Sequence, residues 1–236
     1  MSLSEADTRA KLIDPSLYHS GWTENEMTRE EKTAGAIKIV NGKPKRVSGR
    51  TDTTLRIKIS SDSHPIPIAI VEAKAERFPA NHGLQQAKLY GSAYRMNVPF
   101  VYSSNGHQFY EYDNFSKITT GPKSMNEFPT PDELRERYEV EMGFSLNSEL
   151  AKPLLKPYSK GEGSRRYYQD AAIRAVLEKI AKGDNRALLS LATGSGKTRI
   201  AVNILKRIAD AGQLKRALFL CDRDELRRQG LGAFQD

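Results

Sequence analysis

The sequence predicts an α/β protein: a mixed β-sheet flanked by helices, followed by the first part of a parallel α/β domain. Three observations carry this. Ile66–Ala73 (IPIAIVEA) is an almost unbroken apolar run of strand length, as a central strand buried on both faces requires. Shorter strand-like segments surround it, separated by turn dipeptides such as Asn41-Gly42 and Asn105-Gly106. Beyond residue 166, strand and helix patterns alternate, which indicates a parallel sheet.

Taken in order, Ser4-Glu5-Ala6-Asp7 supplies a cap and early acids, then Arg9, Ala10, Leu12 and Ile13, so a helix opens here. Asp14-Pro15 is expected to end it, because the residue before proline disfavours α geometry. Ala36–Val40 reads as a short strand leading into the Asn41-Gly42 turn, and Thr53–Ser60 as an alternating strand. His82–Met96 carries Leu84, Ala87, Leu89 and Ala93 for helix packing. Phe100–Ser103 and Gln108–Tyr112 are expected as strands and Pro131–Tyr138 as a short charged helix. Residues 149–165, with Lys152-Pro153, Lys156-Pro157 and a Ser/Lys/Gly/Glu run from Ser159, form the expected linker. It divides a first domain, 1–148, from a second, 166–236. In the second, Tyr168–Ala181 is a helix, Ala187–Ala192 a strand, Lys197–Ala209 a helix, Arg216–Cys221 a strand and Asp224–Leu231 a helix.

The chain has 236 residues, 38% hydrophobic and 28% charged, without an apolar run long enough to span a membrane. No signal peptide is evident, and the single cysteine, Cys221, excludes an internal disulfide and suits a reducing cytoplasm. The net charge is +8, divided as -1 over residues 1–150 and +9 over 151–236. Such a balance points to a polyanionic partner. Between Ala36 and Ser60, Asp52 is the only acid among Lys38, Lys43, Lys45, Arg46, Arg50, Arg56 and Lys58. A carboxylate alone in a basic field makes sense if phosphates approach it.

Residues i and i+2 of a strand share a face, so Glu72 and Lys74 project together where the apolar strand leaves the core. Asp52 lies at the start of the preceding strand, which can pair with this one. Two carboxylates and an ammonium then meet at one sheet edge. Hard oxygen ligands there can hold Mg²⁺, which polarises a phosphate and activates water, and a lysine can stabilise developing charge. One helix later, Gln86 and Tyr90 are i and i+4 on one face. The plainer reading is a surface ion pair between Glu72 and Lys74, with Tyr90 packed in the core. Glu5 is a further acid near the chain start, readable as a third metal ligand or as a cap and helix-dipole residue.

The second chemical motif is Ala192-Thr193-Gly194-Ser195-Gly196-Lys197-Thr198, set between a strand-like segment and a helix. Small residues let backbone N–H groups curl around phosphates, Lys197 adds charge, and Thr198 is placed for Mg²⁺. Position 191, where the standard loop has its first glycine, is Leu. Upstream, Arg166-Tyr167-Tyr168-Gln169 precedes an Ala-Ala-Ile run; downstream lies Asp222-Arg223-Asp224-Glu225-Leu226-Arg227-Arg228-Gln229.

The Asp52…Glu72-Ala73-Lys74 spacing resembles the PD-(D/E)xK nuclease superfamily, and Gln86-x-x-x-Tyr90 resembles the DNA-contacting motif of the nuclease domain in type I restriction motor subunits and some recombination nucleases. The loop resembles motif I of superfamily 2 helicases. Gln169 matches the residue that reads the adenine edge there, and 222–229 resembles motif Ia. The order of these pieces, with Arg9–Pro15 and Gly21-Trp22, resembles the N-terminal part of a type I restriction enzyme R (HsdR) subunit over essentially the whole chain. One departure is Thr53-Thr54, where the family would place an aromatic after the acid. The resemblance implies a restriction-endonuclease-like sheet and the first part of a RecA-like domain. It implies metal-dependent cutting of double-stranded DNA, ATP-driven translocation, and assembly with modification (methyltransferase) and specificity subunits. Asp52, Glu72 and Lys74 would be catalytic, with Asp52 and Glu72 on the metal. Gln86 and Tyr90 would position DNA, and Gln169 with Thr193–Thr198 would bind nucleotide. No D-E-x-H box follows within the chain, so ATP hydrolysis is not expected from these residues alone. Two alternatives stay open: a helicase-fused nuclease of another DNA-processing system, and a non-catalytic nucleic-acid-binding module on a decayed nuclease fold.

Overall fold

The computed structural model describes residues 2–33, 49–92, 96–158 and 167–221, the backbone of 37–40 and 43–46, and residues 224, 227, 228, 231 and 232. The chain falls into two compact units. The first comprises Met1–Lys58 and Pro65–Glu141, the second Ile59–His64 and Met142–Asp236.

The first unit is built on a six-stranded mixed sheet. Its strands are β1 (Met27–Thr33), β4 (Gly49–Ile57), β5 (Ile66–Ala73), β6 (Phe100–Ser104), β7 (Gln108–Asp113) and β8 (Thr119–Ser124), in the order β1-β4-β5-β6-β7-β8. Two strands, β2 (Ile37–Val40) and β3 (Lys43–Arg46), form a separate antiparallel hairpin. Asn41-Gly42, the expected turn, lies outside the described residues. Within the sheet every neighbouring pair is antiparallel except β5–β6, which is parallel. Helix α3 (Leu84–Gly91) lies in that crossover, since parallel neighbours need a long return connection. The apolar run forms β5 over the residues expected, with Ile66, Ile68, Ala69, Ile70, Val71 and Ala73 all buried.

Helical backbone extends from α1 (Glu5–Thr8) through a π-helical turn (Arg9–Ile13) into α2 (Asp14–His19). Ser4 caps it, its hydroxyl accepting from the Asp7 N–H. The expected stop at Asp14-Pro15 does not occur. Pro15 falls in the first turn of α2, directly after the π turn, where a missing N–H and a fixed φ are tolerated. The run is pinned to the sheet unit through Trp22, whose indole N–H donates to the Pro129 carbonyl at 2.9 Å. Helix α4 (Pro131–Met142) completes this unit, burying Leu134 and Tyr138.

Besides β3, which follows the expected turn, two strands were not expected. β1 (MTREEKT) has an apolar residue only at its first position, and pairs along β4 through Arg29, Glu31 and Lys32. β8 (TTGPKS) is an exposed edge strand containing a proline, with no apolar period to read. Helix α3 is shorter than the expected His82–Met96, because residues 79–83 form successive turns, with His82 N donating to Pro79 O and Leu84 N to Asn81 O.

In the second unit, α6 (Tyr167–Ala181) and α7 (Lys197–Asp210) agree with the helices expected. Residues 149–155, the first part of the expected linker, form two short helical turns with Ala151, Pro153 and Leu154 buried; the second, α5, is Lys152–Leu155. The Arg207 guanidinium, 2% exposed, donates to the carbonyls of Pro153 (3.1 Å) and Leu154 (2.6 Å) at the end of α5. The strands expected at 187–192 and 216–221 do not form ladders, and Leu188, Leu218 and Leu220 stand 92%, 82% and 82% exposed. Two short strands without further strands beside them are marginal in water. Of the expected helix at 224–231, residues 224, 227, 228 and 231 are described and helical, and the other four lie outside the described residues.

Candidate active site and nucleotide loop

Strand register brings the three nuclease candidates together. Thr53 on β4 faces Val71 on β5, so Asp52 stands one step further toward the Glu72 end of the pair. The Asp52 carboxylate accepts the Ala73 backbone N–H at 2.8 Å, fixing it across the end of β5. Glu72 is 1% exposed, and its Oε1 accepts from the Lys74 ammonium at 2.8 Å. Its other oxygen, Oε2, is buried without a hydrogen-bond partner. An unsatisfied buried carboxylate oxygen is costly and calls for a cation or a proton. Thr53 and Thr54, directly after Asp52, are buried, with Thr54 hydroxyl-bonded to Thr51 at 3.1 Å.

The electrostatics agree. Burial, then the neighbouring charge of Asp52, pushes Glu72 up from 4.5 to about 7. Burial likewise raises Asp52, against the Ala73 N–H bond and the Lys74 charge. For Lys74, burial works against the charged form, but the Glu72 hydrogen bond and the charges of Glu72, Glu5 and Asp52 outweigh it and raise its pKa. Two carboxylates that resist ionisation together are what a divalent cation would relieve. Among the described residues, no three His, Cys, Asp or Glu side chains group closely enough to hold a metal by themselves. Two carboxylates nonetheless fit Mg²⁺, which keeps several waters and uses one or two carboxylates plus phosphate oxygens. Glu5 is not grouped with this pair as a third ligand. It is exposed on the first turn of α1, and its Oε2 lies 3.4 Å from Lys74 Nζ.

On α3, Gln86 Nε2 donates to the Tyr90 hydroxyl at 3.3 Å on the exposed face. The Tyr90 ring packs on the core formed by Ile70, Ala87, Met96, Val98 and Val101. The residue thus has an apolar anchor and a polar tip. The basic field around Asp52 is smaller than the sequence suggested. Arg50 pairs with Glu30 at 2.6 Å and Arg56 with Glu31 at 2.8 Å, both acids coming from the unforeseen β1. The side chains of Lys38, Lys43, Lys45 and Arg46 lie outside the described residues.

Two residues of this centre escaped the sequence reading. Gly83 caps α3 and is buried, its N–H donating to Ser103 Oγ at 3.1 Å. Ser103 is fully buried on β6 and is in register with Glu72. The only sequence signal was a glycine and a strand serine, both too common to notice.

In the second unit, Gly194 and Gly196 have φ of 75° and 84°, the left-handed turns that let a loop curl its N–H groups inward. Gly196 caps α7, so Lys197 and Thr198 begin the helix, as the loop-then-helix reading expected. Gln169 Nε2 and the Tyr168 hydroxyl both donate to the Ser195 carbonyl, at 2.9 and 3.1 Å. Gln169 therefore braces the loop directly. Lys197 folds onto the carbonyls of Leu191 (3.0 Å) and Ala192 (3.2 Å), and Ser195 Oγ is buried without a partner. Thr193 and Gly194 are exposed. Residue 166 and residues 222, 223, 225, 226 and 229 of the flanking motifs lie outside the described residues.

Comparison with known proteins finds subunits of restriction enzymes. Residues 162–236 match the family described as the res subunit of type III restriction enzymes. The chain is 34% identical over 230 residues to the type I restriction enzyme EcoAI endonuclease subunit of Escherichia coli, covering 95% of the chain and 28% of that protein. It is 29% identical to the EcoKI endonuclease subunit of E. coli K12, covering 100% of the chain and 24% of that protein. A solved fragment of an HsdR subunit from Vibrio vulnificus YJ016 superposes with a TM-score of 0.72 at 35% identity, over 89% of the chain and 39% of that structure. The chain thus spans about a quarter of the length of the curated relatives it matches. It is a homologue of the HsdR endonuclease subunits of type I restriction enzymes, carrying a mixed-sheet unit like theirs and a ResIII-type helicase-like segment.

Proposed function

We propose that the first unit is a metal-dependent DNA endonuclease centre and that the second belongs to an ATP-driven DNA translocase, working together as in a type I restriction endonuclease. One observation carries the nuclease half. Asp52, Glu72 and Lys74 converge at the C-terminal end of the interior strand β5, with a buried Glu72 oxygen unpartnered. Asp52 and Glu72 are the residues that would hold Mg²⁺, which when bound supplies Lewis-acid polarisation of the phosphate and an activated water. Lys74, held by Glu72, is oriented to stabilise negative charge building on the phosphate. Gln86 and Tyr90 present their polar ends on the exposed face of α3 to steady the DNA strand. In the second unit, Gln169 holds the loop in shape, and Lys197 must leave the Leu191 and Ala192 carbonyls to meet the phosphates of ATP. Thr193–Gly196 would line those phosphates and Thr198 would face the accompanying Mg²⁺.

The partners proposed are double-stranded DNA and the modification and specificity subunits, in the cytoplasm. No helix among the described residues is long and apolar enough to cross a membrane. The test is Glu72→Ala in the full-length subunit assembled with those partners. Cleavage of plasmid DNA should be lost while DNA-stimulated ATP hydrolysis persists. Normal cleavage would sink the assignment, and failure to assemble with a modification complex would favour a nuclease–helicase of another DNA-processing system.

A further inference from the structure

We propose that Gly83 and Ser103 are positioning residues of the nuclease centre, their hydrogen bond clamping the start of α3 onto the stems of Glu72 and Lys74. The inference rests on the nuclease reading above.

A Cβ placed on Gly83 would lie 2.7 Å from Lys74 Cε, 2.9 Å from Glu72 Cγ and 2.9 Å from Ser103 Oγ. Real Cβ atoms do not approach heavy atoms that closely. Gly83 has an ordinary negative φ of -88°, so glycine is needed here for proximity and not for backbone freedom. The Lys74 terminus could swing aside. Glu72 Cγ is only two bonds from the backbone of a central strand, and Ser103 Oγ is the acceptor of the Gly83 N–H itself. Any side chain at position 83 must therefore displace the carboxylate, break the clamp, or lift the helix.

The clamp acts in two directions. Toward the sheet, Gly83 closes over Glu72 and Lys74 and leaves them one arrangement, with the 2.8 Å ion pair between them. Toward solvent, it fixes where α3 begins, and Gln86 and Tyr90 follow on that helix three and seven residues later. The residues proposed to hold the metal and those proposed to hold the DNA are thus referenced to a single hydrogen bond. Ser103 suits this role because parallel register sets it beside Glu72, and because it is fully buried and its bond is shielded from water.

The test uses Ser103→Ala, which removes the acceptor without adding bulk, and Gly83→Ala, which adds bulk while leaving the acceptor. On the chain itself, Mn²⁺ affinity is measured by calorimetry, with Glu72→Ala as the blank, and exchange of the Gly83 and Leu84 amides by hydrogen–deuterium exchange. In the full-length subunit, single-turnover plasmid cleavage and ATP hydrolysis are measured. Both variants should lose about 10- to 100-fold in Mn²⁺ affinity or cleavage rate, as removal of a metal site's supporting partners does. ATP hydrolysis should be unchanged, and Ser103→Ala should speed exchange at Gly83. Ser103→Ala with wild-type Mn²⁺ affinity and cleavage would overturn the proposal, as would losses that merely follow unfolding of the first unit seen by Trp22 fluorescence. Retained Mn²⁺ binding and cleavage in the Glu72→Ala blank would instead overturn the nuclease reading, so the two failures are separable.

Discussion

Replacing Glu72 by glutamine should stabilise the first unit at alkaline pH while abolishing its chemistry. Glu72 is 1% exposed and its carboxyl is raised from 4.5 to about 7, by burial first and by Asp52 second. A raised carboxylate pKa means the folded state holds the proton more tightly than the unfolded chain. The associated stability is fully present below pH 4.5 and is lost as pH rises through about 7. At about 1.4 kcal/mol per unit, the ionised form costs the fold on the order of 3 kcal/mol by pH 8.5. Glutamine removes that cost. It gives some back, because Lys74 loses an anionic partner and retains Glu5 at 3.4 Å. A net gain of about 2 kcal/mol is expected at pH 8.5, shrinking to within about 0.5 kcal/mol at pH 5, where the wild-type carboxyl is protonated. Urea unfolding followed by tryptophan fluorescence is the assay. The only tryptophan, Trp22, is buried in the first unit and reports on it without interference from the second. Equal or lower stability of Glu72→Gln at pH 8.5, or a gain of the same size at pH 5, would refute the electrostatic account.

Tyr90→Phe keeps the ring on the core of Ile70, Ala87 and Val101 and removes only the hydroxyl that meets Gln86. Its unfolding midpoint should stay within about 0.5 kcal/mol of wild type, as for a surface change, while plasmid cleavage falls. A drop in stability with cleavage intact would assign Tyr90 to packing alone. Arg207→Met leaves the Pro153 and Leu154 carbonyls without their donor and should destabilise the second unit by about 2–3 kcal/mol. Limited proteolysis of the second unit should accelerate, with the Trp22 transition unmoved.

What the sequence made legible follows from what periodicity encodes. β5 was found to the residue because both its faces are apolar, and the strand rule then aligned Glu72 with Lys74. The pairing of β4 with β5 placed Asp52 beside them. β1 and β8 were illegible because their residues are mostly charged, polar or edge-exposed, and their place is set by hydrogen bonding to a neighbour and not by burial. That omission mattered, since the acids of β1 neutralise Arg50 and Arg56 and shrink the basic field around Asp52. Pro15 misled because the proline rule takes no account of a preceding π turn. Gly83 and Ser103 were invisible because their importance lies in a close approach between a helix start and two strands, which no local pattern records.

The central claim is that Asp52 and Glu72 together hold a divalent cation beside Lys74. Anomalous diffraction from a crystal soaked in Mn²⁺ tests it most directly. A peak should stand between the two carboxylates, about 2.0–2.2 Å from an oxygen of each, with the Glu72 Oε2 that now lacks a partner among its ligands. A map with no density there at a Mn²⁺ concentration that supports DNA cleavage would contradict the account.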